Sequence, residues 1–438
     1  MSINVEKFNL NKSPQCPHGP TILFSRSTHE KRKFFACSAC RDKKDCNFFL
    51  WQDEVDSLSE SVRKSWEDER KSYIKGINRK KKVEMLNLMK KLPQHKRRYC
   101  LKCNRFVLEK FLKKHNKHDL INISDELLSK PSYIFKPLDN NRKEAQYLFS
   151  PSTITMIINV LKDLNVKNVL CVGTPRIHEF ILTGNLNKNS LLLDFDKRYH
   201  NFYNIDQFCW YNMFNHHFFL KSKRVFNEFI KNSFGNLILI VDPPFGGRIE
   251  LLAKTFRRIN KAFRNITNVQ EDLKVLFIFP YFMEPQILNS LPEYKMLDYK
   301  IQYDNHVLFQ HGVKGRKQGS PVRIFTNINP SLIQLPKDEG YKYCGKCNRW
   351  VSNENKHCNK CNSCTSKDGR TYIHCDKCER CVKPTWIHCN DCNKCALKDH
   401  YCGELPFQKQ CFHCHKDGHK KRECPEVDHE LLRKKRRK

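Results

Sequence analysis

Short unbroken apolar runs punctuate the middle of the chain: Val169-Leu170-Cys171-Val172, Leu191-Leu192-Leu193, Leu237-Ile238-Leu239-Ile240-Val241 and Val275-Leu276-Phe277-Ile278-Phe279. A strand buried on both faces reads as a continuous run rather than an alternation, because helices cover both sides of a parallel sheet. Helical stretches separate these runs, so residues 130–335 are expected to form an α/β domain of Rossmann-like type. The pattern changes on either side. Residues 53–98 are charged, carry few apolar positions and read as a helical connector. A Pro-containing linker covers 328–340, and from 341 onward Cys and His are so dense that metal must replace an apolar core.

Composition sharpens this in two ways. Among 438 residues, Lys and Arg number 80 against 46 Asp and Glu, a formal charge of +34. A surface that positive attracts polyanions through counterion release, so nucleic acid is the expected partner. There are also 23 cysteines. The start, Met1-Ser2-Ile3-Asn4-Val5-Glu6-Lys7, lacks the apolar segment of a secretion signal, and no apolar run approaches the ~18 residues of a membrane span. In a reducing compartment, cysteine pairs interleaved with His read as zinc ligands rather than disulfides. Each Cys3His site holding Zn2+ carries one net negative charge, so six such sites lower +34 to about +28.

The ligand spacings divide into modules. Cys16, His18, Cys37 and Cys46 supply a first site over residues 1–52, with Cys40 as a spare thiol and Phe48-Phe49-Leu50-Trp51 at its end. That aromatic face suits stacking on unpaired bases. Cys100-x2-Cys103-x11-His115-x2-His118 gives a Cys2His2 module over 99–129, read as a structural clip. Over 341–404 the ligands interlock in Cys3His sets: Cys344, Cys347, His357 and Cys364; Cys358, Cys361, His374 and Cys381; Cys375, Cys378, His388 and Cys395; Cys389, Cys392, His400 and Cys402. This assignment uses all 12 cysteines between 344 and 402 once each, while leaving open which His joins which pair. Cys411-x2-Cys414-x4-His419-x4-Cys424 is a zinc knuckle over 409–426, a type that binds unpaired bases. About seven zinc sites are expected in all. The tail 427–438 ends in Arg433-Lys434-Lys435-Arg436-Arg437-Lys438, which fits a nuclear-import signal.

Within the α/β domain, chemistry gathers at strand ends. Val172 leads into Gly173-Thr174, with a helix expected from about Pro175. One glycine lets the backbone approach a cofactor closely. The three glycines of a dinucleotide fingerprint are missing, but S-adenosylmethionine has no phosphate and needs no such cradle. Twenty-one residues on, Asp194 ends the second run, where a carboxylate accepts hydrogen bonds from a ribose diol. Asp242-Pro243-Pro244-Phe245 directly follows the third run. The Asp242 carboxylate and a Pro carbonyl would each accept a hydrogen bond from an exocyclic amine, turning its lone pair toward a sulfonium methyl. Phe245 would stack on an extruded base. The bland alternative is a turn that merely ends a core strand. Tyr147-Leu148-Phe149-Ser150-Pro151-Ser152 is expected at the lip over the methionine end of the cofactor. Part of Trp210-Tyr211-Asn212-Met213-Phe214-Asn215-His216-His217-Phe218-Phe219 is expected beside the adenine or the target base, with Phe218 and Phe219 fitting a core cluster equally well.

Taken together, the chain resembles, nearly end to end, the animal family of CCHC zinc-knuckle ribosomal-RNA adenine-N6 methyltransferases. The resemblance rests on Cys16-Pro17-His18-Gly19-Pro20 and Cys46-Asn47-Phe48-Phe49-Leu50-Trp51 of a GRF-type finger, on Cys171-Val172-Gly173-Thr174-Pro175-Arg176, on Asp242-Pro243-Pro244-Phe245 and on the knuckle. It implies a Rossmann-like methyltransferase domain flanked by small zinc modules, which transfers methyl from S-adenosylmethionine to N6 of one adenosine in a large-subunit rRNA stem-loop. Asp242, Pro243, Pro244 and Phe245 would be catalytic. Ser150, Pro151, Cys171, Gly173, Thr174, Pro175, Arg176, Asp194, Phe195, Asp196, Asn212, Met213, Phe214 and Asp242 would hold the cofactor. The resemblance also implies action in the nucleolus or nucleus, with a cytoplasmic pool as a second site; a monomer with no membrane association is expected, and other RNA-processing proteins are candidate partners. The 341–404 array also resembles the CTCHY-type repeats of certain ubiquitin ligases. Its 344–364 spacing is shared with DHHC acyltransferases, but Lys398-Asp399-His400-Tyr401-Cys402 stands where their nucleophile would be. Two further rivals are an RNA-binding zinc scaffold with a dead methyltransferase fold, which the intact Asp-Pro-Pro-Phe opposes, and a DNA adenine methyltransferase, against which the knuckle tilts toward RNA.

Overall fold

The apolar runs form the centre of one large sheet. A computed structural model describes residues 3–26, 32–39, 45–135, 147–306, 319–400 and 402. Its strands are β1 (Asn168–Val172), β2 (Asn189–Asp194), β3 (Phe208–Asn212), β4 (His217–Phe218), β5 (Leu237–Val241), β6 (Lys274–Pro280), β7 (Lys295–Leu297) and β8 (Val322–Thr326). They lie in the order β4-β3-β2-β1-β5-β6-β8-β7. β3, β2, β1, β5 and β6 are mutually parallel, whereas β8 runs antiparallel to β6 and β7, and β4 antiparallel to β3. The strand order therefore reverses at β1, whose two neighbours come from different halves of the fold. A crevice opens at such a reversal, beyond the carboxyl ends of the strands.

Side-chain alternation assigns the two faces. Val169, Cys171, Ile238, Ile240, Leu276 and Ile278 pack with helices α1 (Pro151–Asp163) and α2 (Pro175–Thr183). Leu170, Val172, Leu239, Val241, Val275 and Phe277 pack with α3 (Lys223–Lys231), α4 (Ile249–Thr267) and α5 (Glu284–Ser290). On α4 the buried Leu252, Phe256, Ile259 and Phe263 recur at helical spacing. Each such side chain contributes about 1.5–3 kcal/mol when removed from water. Ser150 caps α1 by accepting the N–H of Thr153, and Pro175 opens α2 with its φ already set. The fold is thus three-layered α/β, as the runs predict.

The small modules pack against this domain. Ile3–Val5, Ile22–Arg26, Lys33–Ala36 and Phe49–Trp51 make a four-stranded antiparallel sheet. The charged connector folds as helices Glu60–Ile74 and Arg79–Lys91. Arg98–Cys100, Arg105–Val107 and Leu120–Asn122 make a three-stranded sheet, whose Tyr99 and Phe106 cluster with Phe202 of the α/β domain.

The chain divides into two units, Met1–Ser352 and Asn353–Lys438. In the second, hairpins repeat: His357–Cys358 with Ser363–Cys364, Ile373–Cys375 with Arg380–Val382, and Trp386–Cys389 with Lys394–Leu397. The residue after each second cysteine, Asn362, Glu379 or Asn393, takes positive φ of 47°, 50° and 52° to close the loop. Among the described residues, the buried apolar side chains of this unit are Cys364, Val382 and Cys395. That is too little for a core. Cys40, the knuckle Cys411-Cys414-His419-Cys424 and the basic tail lie outside the described residues. Among the described residues no helix is long and apolar enough to cross a membrane.

Candidate active site

The crevice at the strand reversal holds a cavity of ≈ 300 Å³, and its floor is the loops that leave β1 and β5. Gly173 donates its N–H to Leu193 O at 3.0 Å, and Asp242 donates its own to Val172 O at 3.1 Å, so both loops continue the ladder before turning away. Gly173 has φ +65°, and a Cβ placed there would stand 2.8 Å from Asp242 O and 3.2 Å from Met213 Cε. Only glycine fits both the torsion and the space. Of the residues expected to hold cofactor or catalyse, Gly173, Pro175, Asp194, Phe195, Asp196, Asn212, Met213, Phe214, Asp242, Pro243 and Pro244 line this one cavity.

Its two half-buried carboxylates sit in different environments. Asp194 accepts the N–H of Asp196 at 2.8 Å, yet burial, with the Asp196 charge nearby, pushes its carboxyl up to about 7. Burial also raises the Asp242 carboxyl well above the usual range, opposed only by the Tyr303 phenol, which donates to Oδ1 at 2.9 Å. Among the described residues Oδ2 has no hydrogen-bond partner. The two proline carbonyls differ as well. Pro244 O accepts the Gly247 N–H at 2.7 Å, while the Pro243 carbonyl has no partner among the described residues. One carboxylate oxygen and one carbonyl thus keep acceptor capacity at the cavity. Asp196 is occupied otherwise, pairing with Arg198 through Nε at 2.8 Å and Nη2 at 2.6 Å.

The remaining expected residues do not line the cavity. Cys171 is in the core, its sulfur 3.4 Å from Ser190 Oγ, and burial pushes the thiol up to about 11. Its side chain has no access to the cavity because in β1 it faces α2. Thr174 is buried, and Ser150 and Pro151 begin α1. Arg176 is buried and donates to Phe149 O at 2.6 Å and to the Asp304 carboxylate, while lying over the Tyr133 ring at 4.5 Å. It clamps chain segments together. Phe245 is half-buried at the lip, its ring 5.4 Å from that of Tyr147 and edge-on to Phe279 at 6.1 Å. Of the Trp210–Phe219 stretch, Trp210 and Phe219 are core, stacked at 4.0 Å.

Several cavity residues come from modules with no sequence mark for this role: Ala39 of the first module, Tyr73 of the connector, Asn104 of the second module, and Lys197 and Arg198 after β2. They are seated by specific bonds. Asn212 Nδ2 donates to His18 O at 3.0 Å, and Asn215 Nδ2 donates to His18 O at 3.1 Å and Pro20 O at 2.9 Å. The Tyr73 ring meets His18 edge-on at 4.8 Å and has Lys197 Nζ over it at 5.3 Å. Asn201 donates to Asn104 O at 3.0 Å and accepts from Lys82 at 2.6 Å. The available sequence signal is Tyr73, which with Trp66 gives the mostly charged helix two aromatic positions.

The Cys/His sets gather as ligands would. Donor atoms of Cys16, His18, Cys37 and Cys46 lie within 4.8 Å of one another, as do those of Cys100, Cys103, His115 and His118. A tetrahedron with bonds of about 2.3 Å to sulfur and 2.05 Å to nitrogen has edges of roughly 3.3 Å (N–N), 3.5 Å (S–N) and 3.8 Å (S–S). His115 and His118 Nδ1 are 3.3 Å apart, and Cys100 Sγ is 3.5 Å from His118 Nδ1. In the second unit Cys358 stands 3.5 Å from His374 Nδ1 and Cys361 3.7 Å from Cys381. Cys375 stands 3.7 Å from His388 Nδ1, with Cys395 3.5 Å from Cys378. His400 Nε2 lies 3.4 Å from Cys392 and 3.5 Å from Cys402, and Cys389 3.2 Å from Cys402. Cys344 and Cys347 belong to the first unit, His357 and Cys364 to the second. Crowding by Cys37 and Cys46 raises the Cys16 thiol strongly, a penalty that a dication removes.

A family described as "Probable N6-adenine methyltransferase" matches residues 140–329, and "GRF zinc finger" matches 14–55. The rRNA N(6)-adenosine-methyltransferase ZCCHC4 of Homo sapiens is 46% identical over 430 residues, covering 95% of this chain and 83% of that protein. Its namesake in Xenopus tropicalis is 45% identical over 429 residues (95% and 87%), and that of Mus musculus 46% over 429 (95% and 83%). The chain belongs to the ZCCHC4 family. It is therefore an enzyme, a methyltransferase of the N6-adenine class, and membership implies S-adenosylmethionine and zinc. The residues fit both. Gly173 leaves room where a side chain would intrude, Asp194 offers an acceptor beside it, and the donor sets are soft and tetrahedral in spacing.

Proposed function

We propose that this ZCCHC4-family chain methylates N6 of one adenosine in a stem-loop of large-subunit rRNA, working as a monomer in the nucleolus with about seven zinc ions in its modules. The observation that carries this is the meeting of Gly173, Asp194 and Asp242 around one cavity at the strand reversal. Asp194, Phe195, Asn212 and Met213 would hold the adenosine half of S-adenosylmethionine, and Gly173 with Asp242 backbone would border its methionine half. When bound, it supplies an electrophilic methyl on a sulfonium. The target adenine leaves its stack and enters beside Tyr147, with Phe245 behind it as the aromatic support. Asp242 Oδ2 and the Pro243 carbonyl then accept the two N6 hydrogens. In free adenine the N6 lone pair is delocalised into the ring, and these two bonds localise it and aim it into the cavity. The proton released after transfer goes to water or to Asp242, whose raised affinity for protons suits it as acceptor. The basic surface binds the phosphates.

Two measurements test this. N6-methyladenosine mapped in large-subunit rRNA of cells with and without the protein should differ at one position. Asp242→Ala should abolish transfer to the corresponding stem-loop while RNA binding stays within about twofold. A mutant that retains wild-type turnover removes Asp242 from the mechanism.

A further inference from the structure

A fully buried tyrosine ends on the Asp242 carboxylate. Tyr303 is 0% exposed and packs its ring against Tyr147 and Phe149, each at 5.4 Å, and Phe245 at 6.1 Å. Its hydroxyl donates to Asp242 Oδ1 at 2.9 Å. The backbone that carries it is pinned on both sides. Ser150 N–H donates to Gln302 O at 3.0 Å, Asp304 N–H to Leu148 O at 2.9 Å, and Leu148 N–H to Asn305 Oδ1 at 2.8 Å. Gln302 N–H adds a bond to Thr153 Oγ1 at 3.0 Å. Arg176 ties the same two segments by holding Phe149 O and the Asp304 carboxylate at once. The cavity lip and the 302–305 segment therefore form a clip, and Tyr303 is its inward-facing member.

We infer that Tyr303 is a positioning residue for methyl transfer: its phenol fixes the Asp242 carboxylate by Oδ1 so that Oδ2 faces the incoming amine. The inference rests on the role given to Asp242. A carboxylate on a short side chain rotates about two bonds, and without a donor on Oδ1 either oxygen, at several angles, meets the substrate. With the donor in place one acceptor in one direction remains, beside the Pro243 carbonyl. The same hydrogen bond favours the ionised carboxylate, which is the form able to accept from an amine. Arg176 and Asp304 serve the site at one remove, by keeping the clip closed.

The experiment compares wild type, Tyr303→Phe and Asp242→Ala in single-turnover methyl transfer to an rRNA stem-loop, over pH 5.5–9, with S-adenosylmethionine affinity by calorimetry. Tyr303→Phe keeps the ring and removes one bond to a charged acceptor, so the rate should fall about tenfold to a hundredfold. KM for RNA and cofactor affinity should hold within about twofold, and the acid limb of the pH–rate profile should move to higher pH, since the carboxylate loses the donor that favoured its ionised form. A rate and an acid limb equal to wild type overturn the inference while leaving Asp242 in place. So does a loss of cofactor affinity matching the loss of rate, which makes Tyr303 a structural strut. Turnover by Asp242→Ala would instead sink the reading beneath it.

Discussion

Gly173→Ala puts the geometry of the cavity to a quantitative test. Two costs arise, and a second glycine separates them. An L side chain at positive φ costs about 1–2 kcal/mol, and this term is shared by Gly173, with φ +65°, and Gly76, with φ +82°. Gly76, in the turn between the connector helices, has nothing within 4 Å of its would-be Cβ. At Gly173 the Cβ would stand 2.8 Å from the Asp242 carbonyl oxygen, a backbone atom that cannot swing aside. Carbon–oxygen contacts normally open to about 3.3–3.6 Å, so the two loops must part by roughly half an ångström. The carbonyl that moves belongs to Asp242, the residue whose carboxylate receives the amine in the proposed mechanism. Because a misplacement of about 1 Å costs on the order of a hundredfold, half of that predicts about a tenfold fall in single-turnover rate. Thermal melting of both variants and transfer to a stem-loop RNA provide the readout. Gly76→Ala should lose stability alone, and Gly173→Ala should lose more stability together with rate. Equal melting losses and a Gly173→Ala rate within twofold of wild type would refute the close approach as a requirement of the site.

Other consequences are as direct. The first zinc module walls the cavity, so Cys37→Ser or zinc removal at that site should weaken cofactor binding about tenfold or more by calorimetry, and not only RNA binding. Asn215→Ala, which deletes the bonds to His18 O and Pro20 O without removing a metal ligand, should weaken it in the same direction. Glu179 is buried beneath the wall, where it accepts from Ser132 N and Oγ at 2.8 and 2.6 Å, and burial pushes it up from 4.5 to about 7. The folded state holds this proton more tightly than the unfolded, so the associated stability is present below pH 4.5 and is lost as pH rises through about 7. The loss amounts to about 3 kcal/mol, and Glu179→Gln should flatten the fall in melting temperature across that window.

The sequence carries the sheet because strands covered on both faces are written as unbroken runs. It carries Gly173, Asp194 and Asp242 because side chains at strand ends converge wherever a parallel sheet reverses its order. Short β3, with Trp210 inside it, is not legible as a strand, since its polar and aromatic residues give no period. Arg176 shows a different failure. A cation just after a glycine turn looks placed for a cofactor, but its partners, Phe149 O and Asp304, come from segments that only the fold brings together. Tyr303 has a signal in the alternation Tyr299, Ile301, Tyr303, all fully buried. That marks an extended segment with one face inward and says nothing of the carboxylate it meets.

Why zinc modules should wall a methyltransferase cavity follows from what an open sheet lacks. Carboxyl-end loops give a floor and one lip but leave the crevice open to water along the helical layers. Two small modules, each combining a Cys/His set with its own apolar cluster, present Ala39 and Asn104 as wall, and the connector helix between them adds Tyr73. The bonds that seat the first module run from Asn212 and Asn215, on either side of the cavity residues Met213 and Phe214, to the carbonyl of His18, itself in the first ligand set. Order in the first ligand set and the shape of the cavity are therefore linked through hydrogen bonds to the carbonyls of His18 and Pro20.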